Sequence, residues 1–423
     1  MTTRRRFMTA AGAALAAPLV LPASVLGRAG HIGPNGKIGI GIIGTGKRAF
    51  EMLGPLLDRD DARLIAVCDV DSNRRSAALA QIDRKYGRSE CRHMVDYRDL
   101  LALKDIDAVV IATPDHWHAN QVIHAAAAKK DIYCEKPLTH CLREGRAMIS
   151  AVRKHRVIFQ TGSQQRTEFN HRFVQAVELV RSGRLGKLLT VHVGVGASSK
   201  PCDLPAEAPE PGLDWDRWLG PAPMRPYNSI LSPRGVHQHY PNWRLYSEYS
   251  GGMMTDFGAH NFDILQWALD MDESGPIRVL PPADQNADYG CRLIYASGVE
   301  VIHGGPAGIT FTGNDGVLHV WRDRLAGIPE SIISKPLPEN APRLPRHKSH
   351  LDNWFDCIRS RQRPICDVEV GARSNACAHL CNLAYWHREN LNWDPKAWEF
   401  VGNSEANRWL ERDRRAGYDL PGS

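Results

Sequence analysis

From Lys37 onward, short apolar runs alternate with amphipathic stretches. The segments "KIGIGIIG", "ARLIAVCDV", "IDAVVIATP", "DIYCEKP" and "RVIFQTG" carry apolar residues in succession, as strands buried on both faces do. Between them run a stretch from Arg48, disturbed at Gly54-Pro55, and then "SNRRSAALAQIDRKYG", "HANQVIHAAAAKK" and "REGRAMISAVRKH", which read as helices. Strand and helix alternating at this pace predict a parallel sheet with helices on both faces over residues 36–160.

The rhythm changes after residue 160. A helix is expected over Phe169 to Ser182. In "KLLTVHVGVG", Leu189, Val191, Val193 and Val195 fall on one face, the pattern of a half-buried strand. A Pro-rich loop, "PCDLPAEAPEPG", follows. Further on, "YGCRLIYASGVEVIHGGPAGITFTGNDGVLHVW" reads as short strands joined at glycines, hence an antiparallel meander. Helices near "KSHLDNWFDCIRS" and "EVGARSNACAHLCNLAYWHREN" close the chain. Residues 161–423 are therefore expected to form a second domain.

Composition narrows the function classes. A chain of 423 residues, 43% hydrophobic and 24% charged, is long enough for two cored domains and is not composed like a disordered one. Half of the net charge of +6 comes from Arg4, Arg5 and Arg6, and no basic cluster with interleaved aromatics follows, so a nucleic-acid partner is not expected. Those arginines open a leader, "MTTRRRFMTAAGAALAAPLVLPASVLG". It has a basic start and an apolar middle from Met8 to Val20, broken by Pro18 and Pro22 and short for a membrane span. "TRRRFM" fits the twin-arginine type, which exports folded proteins. A signal peptide over residues 1–27 is expected, with an uncleaved anchor as the alternative, and a periplasmic or secreted mature protein without a membrane span. Ten cysteines show neither CxxC nor paired zinc spacing, so free thiols and no structural zinc are expected, with a disulfide between two of the late cysteines as the alternative.

Three stretches carry chemistry. "IGIIGTGKRA" ends a strand, opens a helix and reads Gly44-x-Gly46-x-x-Ala49. Gly44 permits the tight turn, Gly46 the approach of a pyrophosphate, and the helix start supplies amides to it. Thr45, Lys47 and Arg48 belong to this expected dinucleotide site. Asp69, 25 residues after Gly44 at the next strand tip, can accept the ribose hydroxyls of NAD; Arg74 and Arg75 keep NADP open. "ATPDHWHAN" follows a strand at the same sheet edge, so Thr113, Pro114, Asp115 and His118 are placed with the cofactor and Trp117 with the substrate, in a loop. Glu135 and Lys136 stand at a fourth strand tip of that sheet, with Pro137 fixing the backbone that aims them into the cofactor crevice. In "GGMMTDFGAHNFDILQWAL", Asp256 and His260 lie one helical turn apart and suit an oriented general base. "HQHYPNWR" offers His237, His239, Tyr240, Trp243 and Arg244, aromatics and polar donors that suit a sugar. His237 and His239 on one strand face would give a metal only two ligands, so no metal is assigned.

The pieces "GIIGTGKRA", "VCDVD", "ATPDHWHA", "CEKPLTH" and "GGMMTDFGAH", in this order, resemble the Gfo/Idh/MocA family of glucose–fructose oxidoreductases and inositol dehydrogenases. The resemblance covers nearly everything after residue 36 and is nearest to the secreted twin-arginine members. It implies an N-terminal Rossmann dinucleotide-binding domain and a C-terminal α/β domain on an open, mainly antiparallel sheet that forms homo-oligomer contacts. It also implies that Lys136 acts with Asp256 and His260 in hydride transfer between NAD(P) and a sugar, polyol or glycoside hydroxyl. Export to a place poor in free dinucleotide favours a tightly held, recycled cofactor. An NAD-dependent glycoside hydrolase and a non-catalytic carbohydrate-binding protein are the alternatives. Asp115 stands where many relatives carry Asn, and Trp117 is bulky.

Overall fold

The computed structural model describes residues 36–87 and 90–421. The leader expected over residues 1–27 lies outside the described residues.

The first sheet is built from β1 (Ile38–Ile43), β2 (Ala62–Cys68), β3 (Arg92–Met94), β4 (Ala108–Ile111), β5 (Asp131–Cys134) and β6 (Phe159–Thr161). All pairings are parallel, in the order β3-β2-β1-β4-β5-β6. Every residue of β1, β4 and β5 is buried, which is why these strands read as unbroken apolar runs. The crossovers are α1 (Lys47–Leu57), α2 (Ser72–Tyr86), α3 (Tyr97–Leu101), α4 (Asp115–Ala127) and α5 (Leu142–His155). The order reverses between β1 and β4, which opens a crevice at their carboxyl ends. Pro55 lies inside α1, in its last turn, and the helix runs on to Leu57.

The second sheet has nine strands. They are β7 (Leu188–Gly194), β8 (Arg278–Leu280), β9 (Arg292–Ile294), β10 (Glu300–His303), β11 (Gly308–Gly313), β12 (Gly316–Val320), β13 (Leu325–Ile328), β14 (Leu391–Asp394) and β15 (Glu399–Phe400). Their order is β13-β12-β11-β7-β10-β9-β8-β14-β15. The expected meander is therefore split: β7 enters between β10 and β11, parallel to the first and antiparallel to the second. Remaining pairs are antiparallel, so the sheet is mixed. The remaining helices are α6 (Arg172–Arg181), α7 (Trp215–Leu219), α8 (Met253–Asp256), α9 (Gly258–Ala268), α10 (Ser331–Ser334), α11 (His350–Ser360) and α12 (Val368–His387). The helix expected from Phe169 begins as a 3-10 turn, Phe169–His171, in which Asn170 has a left-handed backbone; regular helix starts at Arg172.

The two sheets share packing. Trp354 and Phe355 of α11, late in the chain, pack with Ile40, Val67 and Tyr133 of the first sheet. Arg166, fully buried, is held by Asp263 of α9 at 2.8 and 2.9 Å and by Asp272 at 2.7 and 2.8 Å. No helix among the described residues is long and apolar enough to cross a membrane.

Candidate active site

The site begins at the end of β1. Gly44 has φ of +86°, and a Cβ there would stand 2.9 Å from the Ala112 carbonyl, so the turn requires glycine. At Gly46 an added Cβ would meet nothing within 4 Å: its bare backbone leaves space in front of α1. No side chain caps that helix, so its first amides are left for an anion. These observations fit a pyrophosphate.

Asp69, after β2, faces the same cleft. Its Oδ2 accepts the Thr45 amide at 2.6 Å and the Thr45 hydroxyl at 3.1 Å; its Oδ1 accepts the Asp71 amide at 2.9 Å. A carboxylate has about four acceptor sites, so Asp69 keeps one for a ribose rather than the two expected. Thr45 is wholly buried and ties the loop to Asp69. Arg75 donates to the Asp69 carbonyl at 2.5 Å and Arg74 to the Pro233 carbonyl at 2.6 Å, so both arginines are occupied by backbone.

The "ATPDHWHAN" segment departs from expectation. Residues 115–118 form the first turn of α4, not a loop, because Pro114 sits just before the helix, where its fixed backbone suits the entry. Thr113 and Pro114 line the cleft. His118 does not: it is buried, with one ring nitrogen 2.8 Å from the Pro137 carbonyl and the other 3.0 Å from that of Thr113. It therefore fastens two strand-end loops together and is a positioning residue rather than a cofactor contact. Trp117 touches the cleft, yet its indole donates to the Trp218 carbonyl at 3.0 Å and packs against Tyr97 and Tyr418. It is a wall element, not an open platform for a sugar. Asp115 is buried beside Ser250, whose hydroxyl donates to it at 2.6 Å. Burial pushes its carboxyl up to about 7, against the pull of that hydrogen bond and of Arg244.

Glu135 also differs from a free strand-tip carboxylate. It is buried and accepts Arg48 Nε at 2.7 Å and Gln164 Nε2 at 3.3 Å. The pair clamps α1 to β5, and Glu135 holds the Arg48 guanidinium far above its ordinary range. Lys47 makes a 3.3 Å ion pair with Glu51 along α1 and lines the cleft.

Lys136 reaches across to the second sheet. Its Nζ lies 2.6 Å from Asp256 Oδ1 and 3.0 Å from the Asp256 carbonyl. Arg244 Nε is 3.6 Å from the same Oδ1. Burial pushes Asp256 up, but Lys136 and Arg244 outweigh it and hold the carboxyl below its ordinary range. The expected Asp256–His260 link is not formed. A buried carboxylate needs a countercharge, and the ammonium supplies more than a neutral imidazole can. His260 lies in the first turn of α9, and its Nδ1 is a buried polar atom without a partner. Burial, then the charges of Lys136, Arg322 and Arg48, push the imidazole well below its ordinary range. His260 is thus neutral near pH 7, with a ring able to receive a proton.

The "HQHYPNWR" loop closes the site. His237 lines the cleft, and its Nδ1 bonds the His239 carbonyl at 2.8 Å; His239 itself lies outside the lining. The two histidines sit in a loop, not on a strand face, and no metal-binding group of three His, Cys, Asp or Glu occurs among the described residues. Tyr240 spans to α1, donating to Glu51 at 2.7 Å. Trp243 is buried, and Arg244 lies over its ring at 4.2 Å from the centroid. Phe169, Phe257 and Arg322 join the lining without having been expected. Arg322 follows β12, where neither spacing nor motif marks it; the fold alone carries it there. Together these residues enclose about 1020 Å³, a volume at the upper end of small-molecule sites.

Comparison with known proteins agrees with this architecture. Residues 38–163 match the oxidoreductase family's NAD-binding Rossmann fold, and residues 173–420 match its C-terminal alpha/beta domain. Similar proteins include the 2,7-anhydro-N-acetylneuraminate hydratase of Mediterraneibacter gnavus, 29% identical over 155 residues, 37% of this chain and 38% of that protein. The inositol 2-dehydrogenase of Salmonella typhimurium is 32% identical over 154 residues, 36% of this chain and 44% of that protein. The matches cover about half or less of these relatives' length. An NAD-binding protein from Listeria innocua has the same fold, with a TM-score of 0.58 and 19% identity over 84% of this chain and 97% of that one. With both of its domains matched, the chain belongs to the Gfo/Idh/MocA oxidoreductase family and carries its NAD-binding Rossmann domain.

Proposed function

We propose that this protein is an exported NAD-dependent oxidoreductase that removes hydride from a hydroxyl-bearing carbon of a sugar, polyol or glycoside. The observation that carries the reading is the meeting of Lys136, from the first sheet, with His260, from the second, in the cleft that Gly44 and Gly46 open. A bound nicotinamide supplies the hydride acceptor. The chain's own residues handle the proton. The neutral His260 ring takes it from the substrate hydroxyl, and Lys136 Nζ donates a hydrogen bond to the same oxygen as it becomes a carbonyl. Asp256 holds the ammonium in place. Its buried charge also keeps Lys136 from being an isolated cation in a partly dry site.

A leader of twin-arginine type supports export with the cofactor already bound, and a recycled cofactor follows from that. Replacing Arg4 and Arg5 by Lys should leave the protein in the cytoplasm; unchanged export removes this part. The face of the nine-stranded sheet that carries the half-buried His192, Ile302, Thr310 and His319 suits a homo-oligomer contact, which light scattering would reveal as a mass above that of one chain.

One observation favours a second reading. Asp115 is a buried carboxyl raised to about 7 beside the Lys136–Asp256 pair, placed to exchange a further proton near neutral pH. That suits transient oxidation of a glycoside, loss of a carbon-bound proton with elimination, addition of water, and re-reduction. Incubation with a sugar and glycoside panel in deuterated water, without added cofactor, separates the readings. Deuterium beside the oxidised carbon, without net NADH, marks elimination. One NADH per product with strict dependence on added NAD marks a plain dehydrogenase. No reaction of any member, in protein that binds NADH, contradicts both.

A further inference from the structure

Arg322 has an unusual setting. Its guanidinium carbon lies 5.0 Å from the Phe169 ring centre, 5.3 Å from Phe257 and 5.5 Å from Trp321. Its side chain makes one long hydrogen bond, from Nε to Gln165 Oε1 at 3.4 Å. Among the described residues, no carboxylate stands within ion-pair distance of it. Other arginines sunk in the protein are matched: Arg166 by Asp263 and Asp272, Arg412 and Arg414 by Glu144, Arg48 by Glu135. Three aromatic faces stabilise a cation and fix its plane, but they do not cancel its charge. Burial disfavours the charged form here and pulls the guanidinium below its ordinary range.

The surplus extends along this side of the cleft. Lys136 and Arg244 share the single carboxylate of Asp256, at 2.6 and 3.6 Å. With Arg322, three cations have one ion-paired carboxylate among them; Glu168, also in the lining, accepts the His350 amide at 2.9 Å and makes no ion pair with them. Glu135 is spent on Arg48, and Asp115, raised to about 7, supplies only part of a negative charge near neutral pH. The His260 ring is neutral. An oxidised nicotinamide would add positive charge. Partly desolvated cations in such excess are costly unless a ligand brings the counter-ion.

We propose that the substrate is a sugar bearing an anionic group, a carboxylate or a phosphate, and that Arg322 holds this group together with Arg244. The inference rests on reading the cleft as a sugar site and adds its charge class. Both partners being arginines, they can present paired N–H donors to a planar or tetrahedral oxyanion. The ring stack around Arg322 keeps that fork in one orientation, so little side-chain entropy is lost when the anion docks. With the anion fixed at Arg322, the rest of the sugar is directed toward Lys136 and His260.

The test is calorimetric titration of NADH-loaded protein with matched sets in the gluco, galacto and manno series: the uronate, its methyl ester, the 6-phosphate and the free sugar. In at least one series an anionic member should bind at least about tenfold more tightly than the neutral ones, the effect of one charge-assisted hydrogen bond. Arg322→Gln should bring that ratio down to near one, whereas Arg322→Lys keeps part of it. NADH binding reports that each variant is folded. Preference for the uronate or for the 6-phosphate identifies the group. The proposal is overturned if neutral sugars bind as well as anionic ones, if Arg322→Gln leaves the ratio intact, or if no member binds while NADH does. Anion binding that depends on Arg322, with no hydride transfer from the same sugars when the protein is loaded with NAD+ instead, would sink the proposed reaction and keep this site.

Discussion

Lys136 and Asp256 form an ion pair across the cleft, with Nζ 2.6 Å from Oδ1 and 3.0 Å from the carbonyl of the same residue. The pair joins the tip of β5 to the end of α8, so one contact binds the two sheets and sets the ammonium over the site. His260, one turn further on, is left with a free ring. In the proposed reaction Asp256 therefore acts on the proton chemistry through Lys136.

This gives distinct signatures for the three side chains. Lys136→Met and His260→Ala should each lower turnover by at least about a hundredfold, the usual worth of a placed acid or base. Asp256→Asn should also slow turnover. Losing its negative charge leaves Lys136 and Arg322 less opposed, so the pH limb due to His260 should move to lower pH in kcat/KM profiles. Disappearance of that limb in Asp256→Asn would point to a direct Asp256–His260 contact.

Gly44 and Gly46 should separate folding from binding. Gly46→Val adds a side chain to open space, so melting temperature should hold while NADH titration shows lost affinity. Gly44→Val puts a β-branched residue at φ of +86° against the Ala112 carbonyl and should cost at least about 1–2 kcal/mol of stability. Equal melting temperatures for the two variants would contradict this division.

Arg166→Met should be among the most damaging changes remote from the cleft. It strands Asp263, which is wholly buried and whose remaining side-chain partner is the Ser374 hydroxyl at 3.0 Å. Breaking a buried pair from one side costs roughly 3–5 kcal/mol. Denaturant unfolding measures this, and the added change Asp263→Asn should recover part of the loss.

Acid should destabilise the fold earlier than carboxylate titration alone would cause. His116, His118, His260, His350 and His379 are buried and His140 is half-buried, and desolvation holds each below its ordinary range, to about 3 for His116 and about 4 for His350. The unfolded chain binds their protons near pH 6.5 and the folded chain does not, so this contribution is full above pH 6.5 and is lost as pH falls. Asp115 has the opposite sign. Its folded carboxyl is raised to about 7, so it costs stability as pH rises from about 4 through 7. Asp115→Asn should therefore stabilise the protein at pH 8 and have little effect below pH 4. Thermal melts across pH 4 to 8 check both slopes.

Much of this could be read from the chain because strongly patterned segments allow one structure. The runs of β1, β4 and β5 have no polar face to turn outward, and Gly44-x-Gly46 set between such a run and a helix marks a dinucleotide turn. Pairings set by distant chain segments were not legible. The entry of β7 between β10 and β11 depends on which edges meet, and local alternation does not record that. The roles of Glu135 and His118 were hidden for the same reason: their partners, Arg48 and the Thr113 and Pro137 carbonyls, are brought together by the sheet. Asp256 and His260 stand on either side of the break between α8 and α9, and the ammonium from another domain decides what the carboxylate bonds.

The most direct test of the account is mass spectrometry of the dinucleotide released from denatured protein, before and after incubation with sugars deuterated at every carbon-bound position. Bound NAD(H) is expected beforehand, and deuterium carried on the reduced dinucleotide afterwards in wild-type protein but not in His260→Ala. Absence of a dinucleotide, or NADH binding without deuterium transfer from any sugar in the panel, would contradict it.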